Sequence, residues 1–340
     1  LLDIIDSLLQ ETKCISWILL DKLDLLFFED VERLRTSITG LVQLLVEYSD
    51  RFRNIHFKVF LRRDIYRQLR IVNKSHLVSY TNDMKWRGPW LIKLLAARAV
   101  SDQNVRAYCE TSLGEPVDVG LVINGKDDYV LKVFYSIFEP TMGVIRREGA
   151  APTTHEWMLK RLVDGLGMSF PREIIHLGNV AAARQRELDK TEGRHASEKL
   201  VSARALRLAF DAVSAYRCDS YLNAEFPHLL GHFDVFKGKE SRSFQREELY
   251  SFFENLSPAG NDAVRAVHDV GLLIPVGKNV DSARRFEIPL LYRSGLGITG
   301  RRLKRRTRKT KNIAEKEPVP LKEEKQPHVE ESNIPLPQFV

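Results

Sequence analysis

The sequence predicts an α/β fold that becomes mostly α: a parallel sheet early in the chain, then helices, then helices closed by a β-hairpin. Three observations predict it. An unbroken apolar run over 15–20 ends in two carboxylates, Asp21 and Asp24. A second strand-like run over 56–61 follows one amphipathic segment. Four helical patterns over 201–270 precede two short strand-like runs.

The chain opens on a helical pattern carried by Leu1, Ile4, Ile5, Leu8 and Leu9. The run that follows it does not alternate, which suits a strand buried on both faces of a parallel sheet. Residues 29–50 then set Val31, Leu34, Ile38, Leu41, Leu44, Leu45 and Tyr48 on one helical face. The second strand, His56 to Leu61, ends in Arg62, Arg63 and Asp64. Strand, single helix, strand is a βαβ unit, so the two strands should be parallel. Ligands of such sheets lie beyond the strand carboxyl ends, and Asp21 and Arg62 would leave the same edge. There an acid that anchors Mg²⁺ would stand beside a cation for phosphates, with Asp24 placed to orient a water. This is the D-x-x-D form of a Walker B sequence. No G-x-x-x-x-G-K-[ST] phosphate loop occurs in the chain. The chain also begins inside a helix pattern, so the expectation is the C-terminal portion of a longer ATPase with its phosphate loop upstream.

Pro89 opens a helix to Val100, flanked by Trp86 and Trp90, which read as packing residues. Thr153 or Thr154 can cap a helix that starts near Glu156 and runs to the breakers Gly165 and Gly167. Pro171 sits in the first turn of the next helix, and the polar stretch 186–199 reads as an exposed helix or linker. From 201, helices are expected at 201–224, 226–236, 244–256 and 260–270, with strands at 271–275 and 285–292. Helices followed by a hairpin make a winged helix, with 260–270 in the recognition position. The domain boundaries are thus a core at 1–100, a helical lid and linker at 101–200, a winged helix at 201–300 and a tail at 301–340.

Net charge is +7, but residues 301–311 hold eight cations and no acid, while 312–340 hold six Glu against three Lys. The part ahead of the tail is therefore nearly neutral. The tail, with prolines at 318, 320, 327, 335 and 337, reads as disordered. Its basic run suits non-specific nucleic-acid contact. Three scattered cysteines, Cys14, Cys109 and Cys218, match no metal or redox spacing and fit a reducing, cytoplasmic setting. No apolar stretch reaches membrane-span length.

Four segments in order resemble a bacterial P-loop ATPase of the STAND/AAA+ kind: Leu19-Leu20-Asp21-Lys22-Leu23-Asp24, Val59-Phe60-Leu61-Arg62-Arg63-Asp64, Thr154-His155-Glu156-Trp157 through Pro171-Arg172-Glu173, and Gly271-Leu272-Leu273 with Phe286 to Arg293. The resemblance implies Walker B, sensor 1, lid and winged helix. It also implies ATP and Mg²⁺ as cofactors and self-association as a mode of action, in a nucleotide-dependent switch for signalling or antiphage defence. Asp21 and Asp24 would be the catalytic acids, with Asp21 the Mg²⁺ ligand, and Arg62 and Arg172 would contact the nucleotide. The alternative is a winged-helix DNA-binding or scaffold protein on a relic ATPase fold. The would-be recognition helix, with two Asp and one Arg, argues for internal packing over sequence-specific DNA contact. Two further patterns carry less. Gly295-Leu296-Gly297-Ile298-Thr299-Gly300 spells a dinucleotide fingerprint but precedes a basic run, not an amphipathic helix. Asp211, His228 and His232 suggest a hydrolytic or metal site, but the two histidines, four residues apart, lack a third ligand and read as surface or core residues.

Overall fold

The computed structural model describes residues 1–23, 31–48, 51–69, 71, 74–143, 151–192 and 199–300. The chain forms two compact units, the first spanning Leu1–Met84 and the second beginning at Lys85.

In the first unit, α1 (Leu2–Glu11) leads into β1 (Ser16–Leu20), α2 (Val31–Tyr48), β2 (Ile55–Val59), α3 (Arg63–Gln68) and a 3₁₀ segment at Lys74–Tyr80. β1 and β2 pair in parallel, Ser16 opposite Ile55 and Leu20 opposite Val59. The pairing continues past the strand end, where Phe60 N–H donates to Leu20 O at 2.8 Å. Asp3 and Asp6 of α1 fix the entry to β2. Asp3 receives Arg51 through Nε and Nη2, and Asp6 receives the backbone N–H groups of Arg53 and Asn54. The core joins Leu20 and Val59 of the sheet to Leu34, Ile38, Leu41 and Val42 of α2 and to Leu23 and Leu69.

Two expectations fail here. β1 is not covered on both faces: Trp17 and Leu19 are 53% and 60% exposed, and alternate residues turn inward. A continuous apolar run records only that both sides of a strand are oily. Among the described residues α2 packs on one side and nothing covers the other. Leu44 of α2 likewise points outward.

The second unit begins with four helices around one core: α4 (Gly88–Ser101), α5 (Gln103–Leu113), α6 (Val119–Asn124) and α7 (Asp127–Ile137). Asp102 and Asp118 cap α5 and α6, each accepting two backbone N–H groups. α8 (Thr154–Arg161) and the long α9 (Pro171–Glu192) follow. α9 starts at Pro171 as expected and runs through part of the polar stretch, steadied by Arg184–Glu187 and Gln185–Asp189 contacts one turn apart. α10 (Ala203–Arg217) packs along α9 and ends in a π-helical turn at Cys218–Asn223. Trp86 and Trp90, read as packing residues, are 44% and 52% exposed.

The last elements are α11 (Leu230–Asp234), β3 (Ser243–Gln245), α12 (Arg246–Phe253), α13 (Gly260–Asp269), β4 (Ile274–Val276), β5 (Arg285–Glu287) and α14 (Leu290–Arg293). The helices-then-hairpin order is as expected, but the sheet has three antiparallel strands in the order β3-β5-β4. Gln245 and Glu248 form a capping box that stops the helix short of β3. The strand expected at 285–292 gives way after Glu287 to a helical turn. Pro289 has no N–H for a ladder, and it sits as the N-cap of α14. One apolar core runs from Leu91 of α4 to Ile298, through Phe134, Met158, Leu177, Leu206, Phe253 and Phe286.

Candidate functional site

The parallel pairing of β1 and β2 brings two sequence-selected residues to one edge of the first unit. Asp21 directly follows β1, and Arg62 follows β2 by three positions, so both leave the carboxyl ends of adjacent strands. After Asp21 the chain turns sharply, with Lys22 at φ 56°. Asp21 is exposed and its Oδ1 accepts the Lys22 N–H at 2.8 Å. Hard carboxylate oxygens are what Mg²⁺ takes, commonly one or two per site beside phosphates. Arg62 is half-buried and is the N-cap of α3, its carbonyl accepting the Tyr66 N–H at 2.9 Å. Asp24 lies outside the described residues.

Arg172 belongs to the second unit. It is exposed in the first turn of α9, over a cavity of about 10 Å³ that it lines with Glu173, His176, Val213, Tyr216, Arg217 and Ser220. Such a space holds one water at most. Beneath lies a buried polar group that no local spacing in the sequence foretells. Arg217 of α10 pairs with Glu173 of α9 at 2.9 Å, their side chains only 8% and 4% exposed. The guanidinium also sits 3.6 Å from the centroid of the Tyr221 ring in the π-helical turn. Burial raises the Glu173 pKa, and the Arg217 charge opposes that shift. Tyr292 of α14 is fully buried beside Arg217, and burial holds its phenol well above the usual range. Among the described residues, Glu173 Oε2 and Arg217 Nε have no hydrogen-bond partner. These groups join α9, α10 and α14 at their polar centre, so they position elements; the cavity is too small for a nucleotide.

The remaining sequence candidates resolve into structural roles. Asp211 accepts a hydrogen bond from Ser294 Oγ at 2.7 Å. His232 is buried with Nε2 against Pro258 O at 2.7 Å, and the ring of His228 stands edge-on to Phe226. Among the described residues, no group of three or more His, Cys, Asp or Glu is placed to hold a metal ion. The 295–300 glycines form a turn. Gly295 N–H donates to Ser214 Oγ at 2.8 Å, and a Cβ there would stand 2.5 Å from Ser214 O. The close approach of this backbone to α10 requires glycine, which accounts for the motif without a dinucleotide. Arg265, the one arginine of α13, is paired with Asp281 of the hairpin at 2.7 Å. The basic run 301–311 lies outside the described residues. No described helix is long and apolar enough to cross a membrane.

In comparisons with protein-family models, curated protein sequences and solved structures, nothing matches this chain.

Proposed function

We propose that the chain is the C-terminal portion of a nucleotide-dependent switch of the STAND/AAA+ P-loop ATPase kind, acting in signalling or antiphage defence. One observation carries the reading: Asp21 and Arg62 leave the carboxyl ends of two parallel, adjacent strands. In the proposal Asp21 holds Mg²⁺ and Asp24 orients the attacking water. Arg62 meets the terminal phosphate from the core. Bound Mg²⁺ would neutralise charge on the phosphates during phosphoryl transfer. The chain has no Walker A sequence. The reading therefore assigns it the acids, the sensors and the parts that move, and not the phosphate cradle.

The test is Mg²⁺-dependent ATP binding by the longest natural protein that carries residues 1–340, with Asp21→Ala beside the wild type. Loss of a metal-ligating carboxylate should weaken binding about tenfold or more in Mg²⁺ and leave metal-free binding unchanged. Equal Mg²⁺-dependent affinity in both proteins refutes the metal role.

A further inference from the structure

The second unit treats most of its well-placed arginines in one way: their donors are spent on protein acceptors. Arg217 has Glu173. Arg246 donates to the carbonyls of Ala283, Val280 and Asp281 and to Asn261 Oδ1. Arg106 reaches Val100 O and Ser101 O, and Arg207 reaches Met142 O. Where α8, α14 and the start of β3 converge, Arg161 and Arg242 depart from this pattern and Arg293 follows it only in part.

Arg161 ends α8 and Arg293 ends α14, and the two helices pack on each other. The Arg161 guanidinium carbon lies over aromatic surface, 4.2 Å from the Trp157 ring centroid and 5.9 Å from that of Phe210. It has no hydrogen bond or ion pair among the described residues, although it is half-buried. Arg293 Nε donates to Ile288 O at 2.7 Å, and its Nη2 stands 3.8 Å from Glu287 Oε2. The N–H of the same Ile288 donates to the carbonyl of Arg242, which ties Arg242 to this corner. The Arg242 side chain is exposed and without a partner among the described residues.

Arg293 thus stands within electrostatic reach of both Arg161 and Arg242, and the Glu287 carboxylate beside it lies beyond good hydrogen-bond range. Burial lowers the pKa of Arg161, and the charge of Arg293 lowers it further. Burial also lowers Arg293, followed by the charge of Arg242, with Glu287 opposing. Arginine does not relieve such repulsion by losing its proton at physiological pH. The helix C-termini that carry Arg161 and Arg293 offset part of it, and the Trp157 face a further part. Neither supplies acceptors for the Arg161 N–H groups. A ring-stacked guanidinium keeps its edge free, and that edge matches two oxygens of a phosphate.

We propose that Arg161, Arg242 and Arg293 form a binding site for a phosphate group. Arg161, pre-oriented on Trp157, is the bidentate contact. Arg293 contributes charge and its outer nitrogens, and Arg242 closes over the ligand from solvent. The same chemistry arises in a small phosphorylated molecule and in the backbone of a nucleic acid. The site is separate from the Asp21–Arg62 edge and does not depend on the ATPase reading.

The experiment uses the full chain and two probes, inorganic phosphate at constant ionic strength and a short DNA duplex. Arg242→Gln is the first variant, because that side chain is exposed and its loss leaves the fold intact. Arg161→Gln is the second, with Arg161→Lys as the partner that keeps charge and stacking. Removing one charge-assisted contact should weaken phosphate binding about tenfold, with Arg161→Lys intermediate. For the DNA arm the cations of 301–311 are first changed to Gln, so that this run does not mask the site. A parallel loss of DNA affinity identifies a nucleic-acid backbone as the source, and unchanged DNA affinity with lost phosphate affinity identifies a small molecule. Absence of phosphate binding by the wild type, or phosphate affinity in Arg242→Gln and Arg161→Gln equal to that of the wild type, overturns the proposal.

Discussion

Glu173 and Arg217 provide the sharpest test of how the second unit is held together. Glu173→Leu leaves a guanidinium that cannot shed its charge, buried between α9 and α10 with the rings of Tyr221 and Phe170 and with Tyr292 as companions. Breaking a buried pair in this way costs about 3–5 kcal/mol, reduced by up to about 2 kcal/mol by the cation–π contact. Arg217→Met leaves the carboxyl instead, which can escape by taking a proton. Burial already raises the Glu173 pKa, and loss of Arg217 removes the charge that restrains it. A carboxyl with a raised folded pKa favours the fold below its unfolded value. That contribution disappears as pH climbs through the folded value. Arg217→Met should therefore cost about 3–5 kcal/mol near neutral pH and progressively less toward pH 4. Glu173→Leu should cost the same at both. The double variant should lie within about 1–2 kcal/mol of the parent, because two apolar side chains of similar volume replace a pair whose desolvation offsets much of its attraction. Urea unfolding in a Trp17→Phe background lets Trp86, Trp90 and Trp157 report on the second unit alone. Single variants that cost less than about 1 kcal/mol, or an Arg217→Met deficit that does not shrink in acid, would refute this account.

Three further outcomes are expected. Thiol labelling of the native chain should modify exposed Cys14 quickly and buried Cys109 and Cys218 only on unfolding, since burial pushes the Cys218 thiol up to about 12 and also raises Cys109. Gly165→Ala should destabilise the second unit by about 1–3 kcal/mol in urea, because a Cβ would stand 2.5 Å from Leu273 O and 2.7 Å from Gly271 O, both rigid backbone. Arg246→Met should cost about 2–3 kcal/mol and raise protease cleavage between β4 and β5, since this side chain ties the hairpin loop to α12 and α13.

The sequence was most legible where periodicity and termination agreed. β1, α2 and β2 could be placed because two strand-like runs flank an 18-residue amphipathic helix, and that order implies parallel pairing. Pro171 marked the start of α9 because its ring suits a first helical turn. What stayed hidden depends on packing. The run at 15–20 could not report which strand face would be covered. Ser243-Phe244-Gln245 forms only three residues of strand against β5, too short to show alternation, and merged with the helix pattern behind it. The site was legible only at the strand ends, since Asp21 and Arg62 inherit their placement from the strands they follow. Glu173 and Arg217, and likewise Arg161, Arg242 and Arg293, meet through tertiary contacts between elements far apart in the chain. No local spacing announces them. A faint signal existed in Trp157 and Arg161, four residues apart on one helix, which lets the cation lie over the ring.

The bare side of the small parallel sheet has a practical corollary. Trp17, Leu19 and Phe60 present oily surface there, with Lys58 Nζ 4.5 Å from the centroid of the Trp17 ring. A protein produced as residues 1–84 alone would display a sticky plane bordered by two strands, the usual template for strand-to-strand clumping. Such a fragment is best handled dilute, or with Leu19→Lys to make the plane repel its own copies.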